Sequence, residues 1–148
     1  MIRPLILAAA LAAGLPAHAA PTRYFRSPAT IAANRPFSDA VQVGGILYLS
    51  GQIGAKPGEA APVSGGTLAQ ARQAMDNIGA TLAAHHLGYG DLFKCTVFLA
   101  DIHEWGAFNT VYATYFKAGH YPARSALGAN GLALGAAVEI ECWANAAR

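Results

Sequence analysis

The chain has 148 residues, a formal charge of +2, and 12% charged side chains against 54% in the hydrophobic class. That length holds one ordinary domain and excludes a second catalytic one, and the composition is the opposite of a disordered chain's. Lys and Arg stand singly, with no basic stripe of the kind a phosphate backbone needs, which argues against a nucleic-acid partner.

Residues 1–19 read as an export signal. Arg3 supplies a positive charge, Leu5 to Leu15 is an apolar run rich in Ala and Leu, and Ala17-His18-Ala19 has the small-x-small form of a cleavage site. A bilayer span takes roughly 20 apolar residues, and Pro16 interrupts this shorter run. The mature chain is therefore expected to begin at Ala20, to be periplasmic or secreted, and to carry no membrane segment. Residues 20–36, with Pro21, Pro28 and Pro36, read as an extended lead-in, which leaves 37–148 as the folded domain.

Two β-type runs, 40–43 and 46–52, flank Gly44-Gly45 and predict a tight hairpin. Residues 54–66, rich in Pro and Gly, predict a loop. Thr67 is the expected cap of a helix whose buried stripe is Leu68, Ala71, Met75, Ile78 and Leu82, with a stop near Leu87-Gly88. Residues 91–100 follow as a strand. Asp101 with Glu104 then has the form of a capping box ahead of a second helix, with Trp105, Phe108, Val111, Tyr112 and Tyr115 as its apolar face. His120-Tyr121-Pro122 ends it; 125–129 and 135–144 read as the last strands around a turn at 130–134. Two strand–helix–strand passes predict an α+β fold, one mixed sheet with both helices on a single face. Tyr48, Phe98 and Trp143 fall on the uncovered face, so a homo-oligomer closed over that face is expected.

Cys95 and Cys142 each sit in an alternating apolar run, Cys95 on the face of Phe93, Val97 and Leu99, and Cys142 on that of Val138 and Ile140. Both read as small buried hydrophobes, unbridged in preference to the disulfide that an oxidising compartment allows. No histidine lies within a few positions of either to draw out a thiolate. The five histidines form no metal-ligand spacing, and no phosphate-binding glycine loop or dinucleotide fingerprint is present, so neither metal nor cofactor is expected.

Two features remain. Arg124, in Pro122-Ala123-Arg124-Ser125, follows a proline turn at a strand start, where it either faces a cleft and holds a carboxylate or is a surface arginine paired with an acid. Glu139 and Glu141 alternate with core residues on the oligomer-facing side of the last strand, where acidic groups need interface hydrogen bonds or a catalytic task.

These segments, together with Ser50-Gly51-Gln52, the helix from Leu68 and the stretch 95–116, resemble the RidA (reactive intermediate deaminase) family of enamine/imine deaminases, from about Phe37 to Ala144. The resemblance implies a chorismate-mutase-like fold, a homotrimer with three clefts between neighbours, and cofactor-free hydrolysis of small 2-imino or 2-enamino acids to 2-oxo acids and ammonia. It makes Arg124 the substrate-carboxylate residue, Glu139 the residue that orients the attacking water, and Asn109 and Gly51 cleft positions. Phe37 stands at a substrate-binding position where the family often has tyrosine, and Ala126 where some members carry cysteine. The competing readings are another hydrolase of small carboxylated carbamates or amides on the same scaffold, and a non-catalytic trimer that binds carboxylates or acts as a holdase.

Overall fold

The computed structural model describes residues 20–147; the predicted export signal, 1–19, lies outside them. The chain forms a mixed seven-stranded sheet covered on one face by two helices. In chain order the elements are β1 (Arg23–Phe25), α1 (Pro28–Ala32), β2 (Ala40–Val43), β3 (Ile46–Leu49), β4 (Gln52–Ile53), α2 (Gly66–Ala84), β5 (Leu92–Leu99), α3 (Trp105–Tyr112), β6 (Ala123–Gly128) and β7 (Val138–Asn145). The strand order is β1-β2-β3-β7-β5-β6, with β4 also on β7, and only β5–β6 is parallel. Among the described residues no helix is long and apolar enough to cross a membrane.

The expected lead-in at 20–36 is instead structured. Ser27 caps α1 by accepting from Thr30 N at 3.2 Å, and Pro28 sits in the first turn, where a missing N–H costs nothing. The Asp39 carboxylate accepts from Ser27 N and from the buried Thr30 hydroxyl at 2.7 Å. Partial burial alone would raise the Asp39 pKa, but these hydrogen bonds outweigh it and hold the carboxyl below its usual value. Pro28 thus marks a helix start rather than the absence of structure.

The hairpin forms as its glycine pair predicts, with Gly44 at φ 56° and Val43 opposite Ile46. Its second run is broken in two. Tyr48 pairs with Trp143 and Gln52 with Ile140, so four steps along one strand match three along β7, and Ser50-Gly51 forms an irregularity between β3 and β4.

Helix α2 buries Ala71, Ala74, Met75, Ile78 and Leu82. Fully enclosed, Met75, Ile78 and Leu82 each contribute roughly 1.5–3 kcal/mol of transfer free energy. Its ends differ from expectation: Gly65, in the left-handed region, precedes the first turn, Thr67 is inside the helix with its hydroxyl bonded to Glu104, and His86 at φ 59° makes the exit in place of Gly88. Leu68 lies outside the stripe, exposed. With Glu104 engaged by Thr67, Asp101 caps alone, accepting from His103 N at 2.9 Å. Trp105, at the solvent end of α3, is 48% exposed, and Phe108, Val111 and Tyr112 form the buried face.

A second irregularity sits in β5. Leu92 opposes Ala144 and Lys94 opposes Trp143, so Phe93 is the extra residue; Leu92 takes the core position and Phe93 is exposed. Beyond it the alternation holds, with Cys95, Val97 and Leu99 buried.

Cys95 and Cys142 are bonded, which corrects the unbridged reading. Burial and face were as expected, but alternation within each strand carries no information about pairing between strands. The register places the two directly opposite each other on antiparallel β5 and β7. A bridge across 47 residues stabilises mainly by restricting the unfolded chain, by about 2–4 kcal/mol. The oxidised protein should therefore resist urea better than the reduced protein by about that amount; identical unfolding midpoints with and without thiol reductant would show that the pair is not bridged.

Candidate active site

Pairing of β6 with β5 sets Arg124 opposite Cys95, whose other neighbour is Cys142, so Arg124 belongs to the row that faces the helices. Its side chain emerges under α3. One guanidinium N–H donates to Asn109 Oδ1 at 2.7 Å, and the guanidinium carbon lies 4.7 Å from the centre of the Tyr112 ring and 5.7 Å from that of Phe108. Asn109 and Tyr112 are three residues apart on α3, hence on one face, and both meet the arginine. With Ala113, Tyr121 and Pro122 these residues line a cavity of about 290 Å³. Burial pushes the Tyr112 phenol up to about 12, the Arg124 charge acting in the opposite direction. A cation with most of its donors uncommitted, set among aromatic walls, is suited to a planar carboxylate.

Glu139 is on the other side of the sheet. Along β7, Val138, Ile140, Cys142 and Ala144 are buried, while Glu139, Glu141 and Trp143 point to the uncovered face. The Glu139 carboxylate occupies the place where a side chain on residue 51 would be, so a Cβ there would push the carboxylate aside. Burial, and next the charge of Glu141, hold the Glu139 carboxyl above its usual value. Gly51 also lines a larger cavity of about 870 Å³ with Phe37, Arg35, Lys56 and His85, and the Arg35 guanidinium stands 5.8 Å from the Phe37 ring centre.

Arg124 with Asn109 and Glu139 with Gly51 are therefore brought together as neighbours, and Phe37 and Gly51 border the same larger cavity. Arg124 and Glu139 are not brought together. Glu139 opposes Phe98, which opposes Leu127, three residues beyond Arg124 on β6, so the two are on opposite faces. Three residues along a strand and two strand spacings separate their backbones by roughly 14 Å. A single copy of the chain thus does not bring the arginine and the glutamate into one cleft. The sequence marks Tyr112 as part of an apolar helix face, and its spacing from Asn109 is the sign that it shares the arginine's cavity. Among the described residues no group of three or more His, Cys, Asp or Glu side chains is arranged to hold a metal.

Comparison with known proteins agrees over most of the chain. The family described as Endoribonuclease L-PSP matches residues 27–146. The mouse protein named 2-iminobutanoate/2-iminopropanoate deaminase is 41% identical over 119 residues, 80% of this chain and 85% of that one. Among solved structures, YyfA of Yersinia pestis, from the conserved Rid protein family, superposes with a TM-score of 0.77 at 34% identity, over 84% of this chain and 99% of its own. RidA from an Antarctic Psychrobacter superposes at 0.69 and 34% identity, over 74% and 88%. The chain therefore belongs to the Endoribonuclease L-PSP family, the family of the RidA proteins.

Proposed function

We propose that this protein hydrolyses small 2-imino and 2-enamino acids to 2-oxo acids and ammonia, in clefts that two copies of the chain complete together. The observation that carries the reading is the guanidinium of Arg124 held by Asn109 in a small aromatic-walled cavity, with a partly desolvated carboxylate, Glu139, on the face that a neighbour would cover. The named activity of the mouse relative supports it. Lys and Arg stand singly along the sequence, with no basic stripe of the kind a phosphate backbone needs, which favours a small-molecule substrate over the ribonuclease of the family's description.

The chemistry follows from the substrate. A 2-imino acid places a carboxylate beside an electrophilic C=N carbon. Arg124 binds the carboxylate and fixes the position of that carbon. Glu139, ionised, accepts a proton from a water as its oxygen attacks; the new C–O bond forms, the C=N electron pair goes to nitrogen, and nitrogen is protonated. The proton on nitrogen is the one Glu139 took; the aminol then passes its hydroxyl proton to the amino group through the same carboxylate, the C–N bond breaks, and ammonia leaves as the ketone forms. The acceptor works best close to the operating pH, and the upward shift of Glu139 moves it that way.

The assembly is proposed as a homotrimer. The uncovered face carries Tyr48 and Trp143 with ring centres 5.0 Å apart, exposed Phe93 and Leu127, and the two carboxylates. Such a face is costly to leave in water, and a neighbour that laid its β6 edge over it would bring its own Arg124 towards this copy's Glu139. Export by way of residues 1–19 is proposed as well, and the Cys95–Cys142 bond, of a kind that persists in oxidising compartments, supports it. Protein purified from cells carrying the full gene should begin at Ala20; an intact Met1 terminus in the folded fraction would remove the export reading.

With 2-iminobutanoate generated in situ, Arg124→Ala should lower kcat/KM by about a hundredfold, the scale of a lost charged hydrogen-bond pair. Glu139→Gln should cost about a hundredfold or more as lost base catalysis. Co-expressing the two inactive variants should restore about a quarter of wild-type activity, since one interface in four of a randomly mixed ring pairs an intact arginine with an intact glutamate. No recovery in verified mixed oligomers would show that each site lies within one chain.

The pH profile has a definite sign. Glu139 acts as the carboxylate, so kcat/KM should rise with pH through an apparent pKa above that of an ordinary glutamate. Raising that pKa also means that Glu139 favours the fold most below its unfolded pKa and loses this contribution as pH climbs through the folded one. Glu141→Gln removes the lesser of its two causes and should move the acid limb downward without bringing it to the ordinary value. An acid limb that stays where it is would exclude Glu139 as the titrating base.

A further inference from the structure

We propose that Tyr112 is a substrate-binding residue whose hydroxyl donates to the carboxylate held by Arg124. The proposal rests on the deaminase reading for the identity of the substrate, and on separate observations for the role of the residue.

Among the described residues, the Tyr112 hydroxyl is the one buried side-chain polar atom that has no hydrogen-bond partner in the protein. The residue is only 4% exposed, so solvent does not supply one freely. An enclosed donor without an acceptor costs stability, and phenylalanine would fill the same space without that cost. Its neighbours account for every part of the side chain except the oxygen: the ring packs against Phe108 and Phe116, at centre-to-centre distances of 5.5 Å and 4.8 Å, and against the guanidinium of Arg124. Packing explains an aromatic ring at this position and leaves the hydroxyl unexplained.

The location supplies the reason. Tyr112 lines the cavity of about 290 Å³ with Arg124 and Asn109, and Asn109 Oδ1 takes one guanidinium N–H at 2.7 Å. Asn109 and the Tyr112 ring hold the guanidinium from two directions, and its other N–H groups remain for an anion. A carboxylate bound there accepts from the arginine and has lone pairs to spare, and the phenol beside the arginine is the donor that lacks an acceptor. Burial keeps that phenol neutral through the physiological range, so it stays a donor. The carboxylate and the hydroxyl each supply what the other lacks, so binding, not folding, satisfies this group.

Tyr112→Phe tests the assignment because it preserves the ring and removes only the oxygen. Two measurements are made on wild type and variant: calorimetric binding of 2-oxobutanoate, which presents the product carboxylate, and steady-state hydrolysis of 2-iminobutanoate. The expected result is that Kd for the oxo acid and KM for the imine both rise about tenfold or more, the scale of a hydrogen bond to a charged group, while kcat stays within about twofold. The melting temperature of the free protein should be unchanged or higher, since an unpaired buried hydroxyl is gone, and the stabilisation by 2-oxobutanoate should shrink. A variant with wild-type Kd and KM would overturn the proposal, as would one in which kcat alone falls. A wild type that binds 2-oxobutanoate without hydrolysing the imine would defeat the deaminase reading and leave Tyr112 to be judged by the binding difference. A wild type that binds no oxo acid would overturn both.

Discussion

The constraint on which the structure depends is the two-sided pairing of β7. It is hydrogen-bonded to β3 and β4 along one edge and to β5 along the other, with Val138, Ile140, Cys142 and Ala144 inward and Glu139, Glu141 and Trp143 outward. A slip of one residue would exchange the two sets and bury two carboxylates without partners, a cost that far exceeds the gain from any single contact. The Cys95–Cys142 bond fixes the same register covalently. Once β7 is set, Glu139 meets Gly51, and Arg124 is placed in the row of Cys95 on the opposite face.

That placement explains why so few charges suffice. Twelve per cent charged residues leave each cation and anion with sparse competition, and the cation and carboxylate proposed for chemistry are held apart by the thickness of the sheet. Within one copy they do not neutralise each other. In the proposed assembly they face a shared cleft from two copies, so the uncovered apolar face and the divided site have one solution in common.

Much of this was legible in the sequence, and the failures have physical causes. Period two placed Cys95, Val97, Leu99 and the inward half of β7 correctly, and period 3.6 placed Met75, Ile78 and Leu82. Both depend on an unbroken repeat. One inserted residue at Phe93 and another at Ser50-Gly51 shifted the phase; Gly51 inside a strand run is a sign of the second, and nothing around Phe93 marks the first. Pro28 was read as a breaker although proline in a first helical turn is favourable, and the signal that would have corrected it was Ser27 immediately before. Between-strand facts such as the disulfide and the opposite faces of Arg124 and Glu139 need register, which a single strand's alternation does not contain. Among the site residues, Arg124 and Glu139 stand out by their placement among apolar neighbours, Asn109, Gly51 and Phe37 come only from the resemblance, and Tyr112 has the signature of a core aromatic that only its unpaired oxygen sets apart.

Gly51 determines how the site can diversify. The Glu139 carboxylate is positioned partly by a missing side chain, so any substituent at residue 51 displaces the carboxylate before it can alter the shape of the cleft. Phe37, and Lys56 on the loop beyond β4, line the adjoining cavity that Gly51 also borders. Substitution at this one glycine therefore bears on the position of a charge, whereas substitution at Phe37 or Lys56 bears on the wall of the cavity beside it.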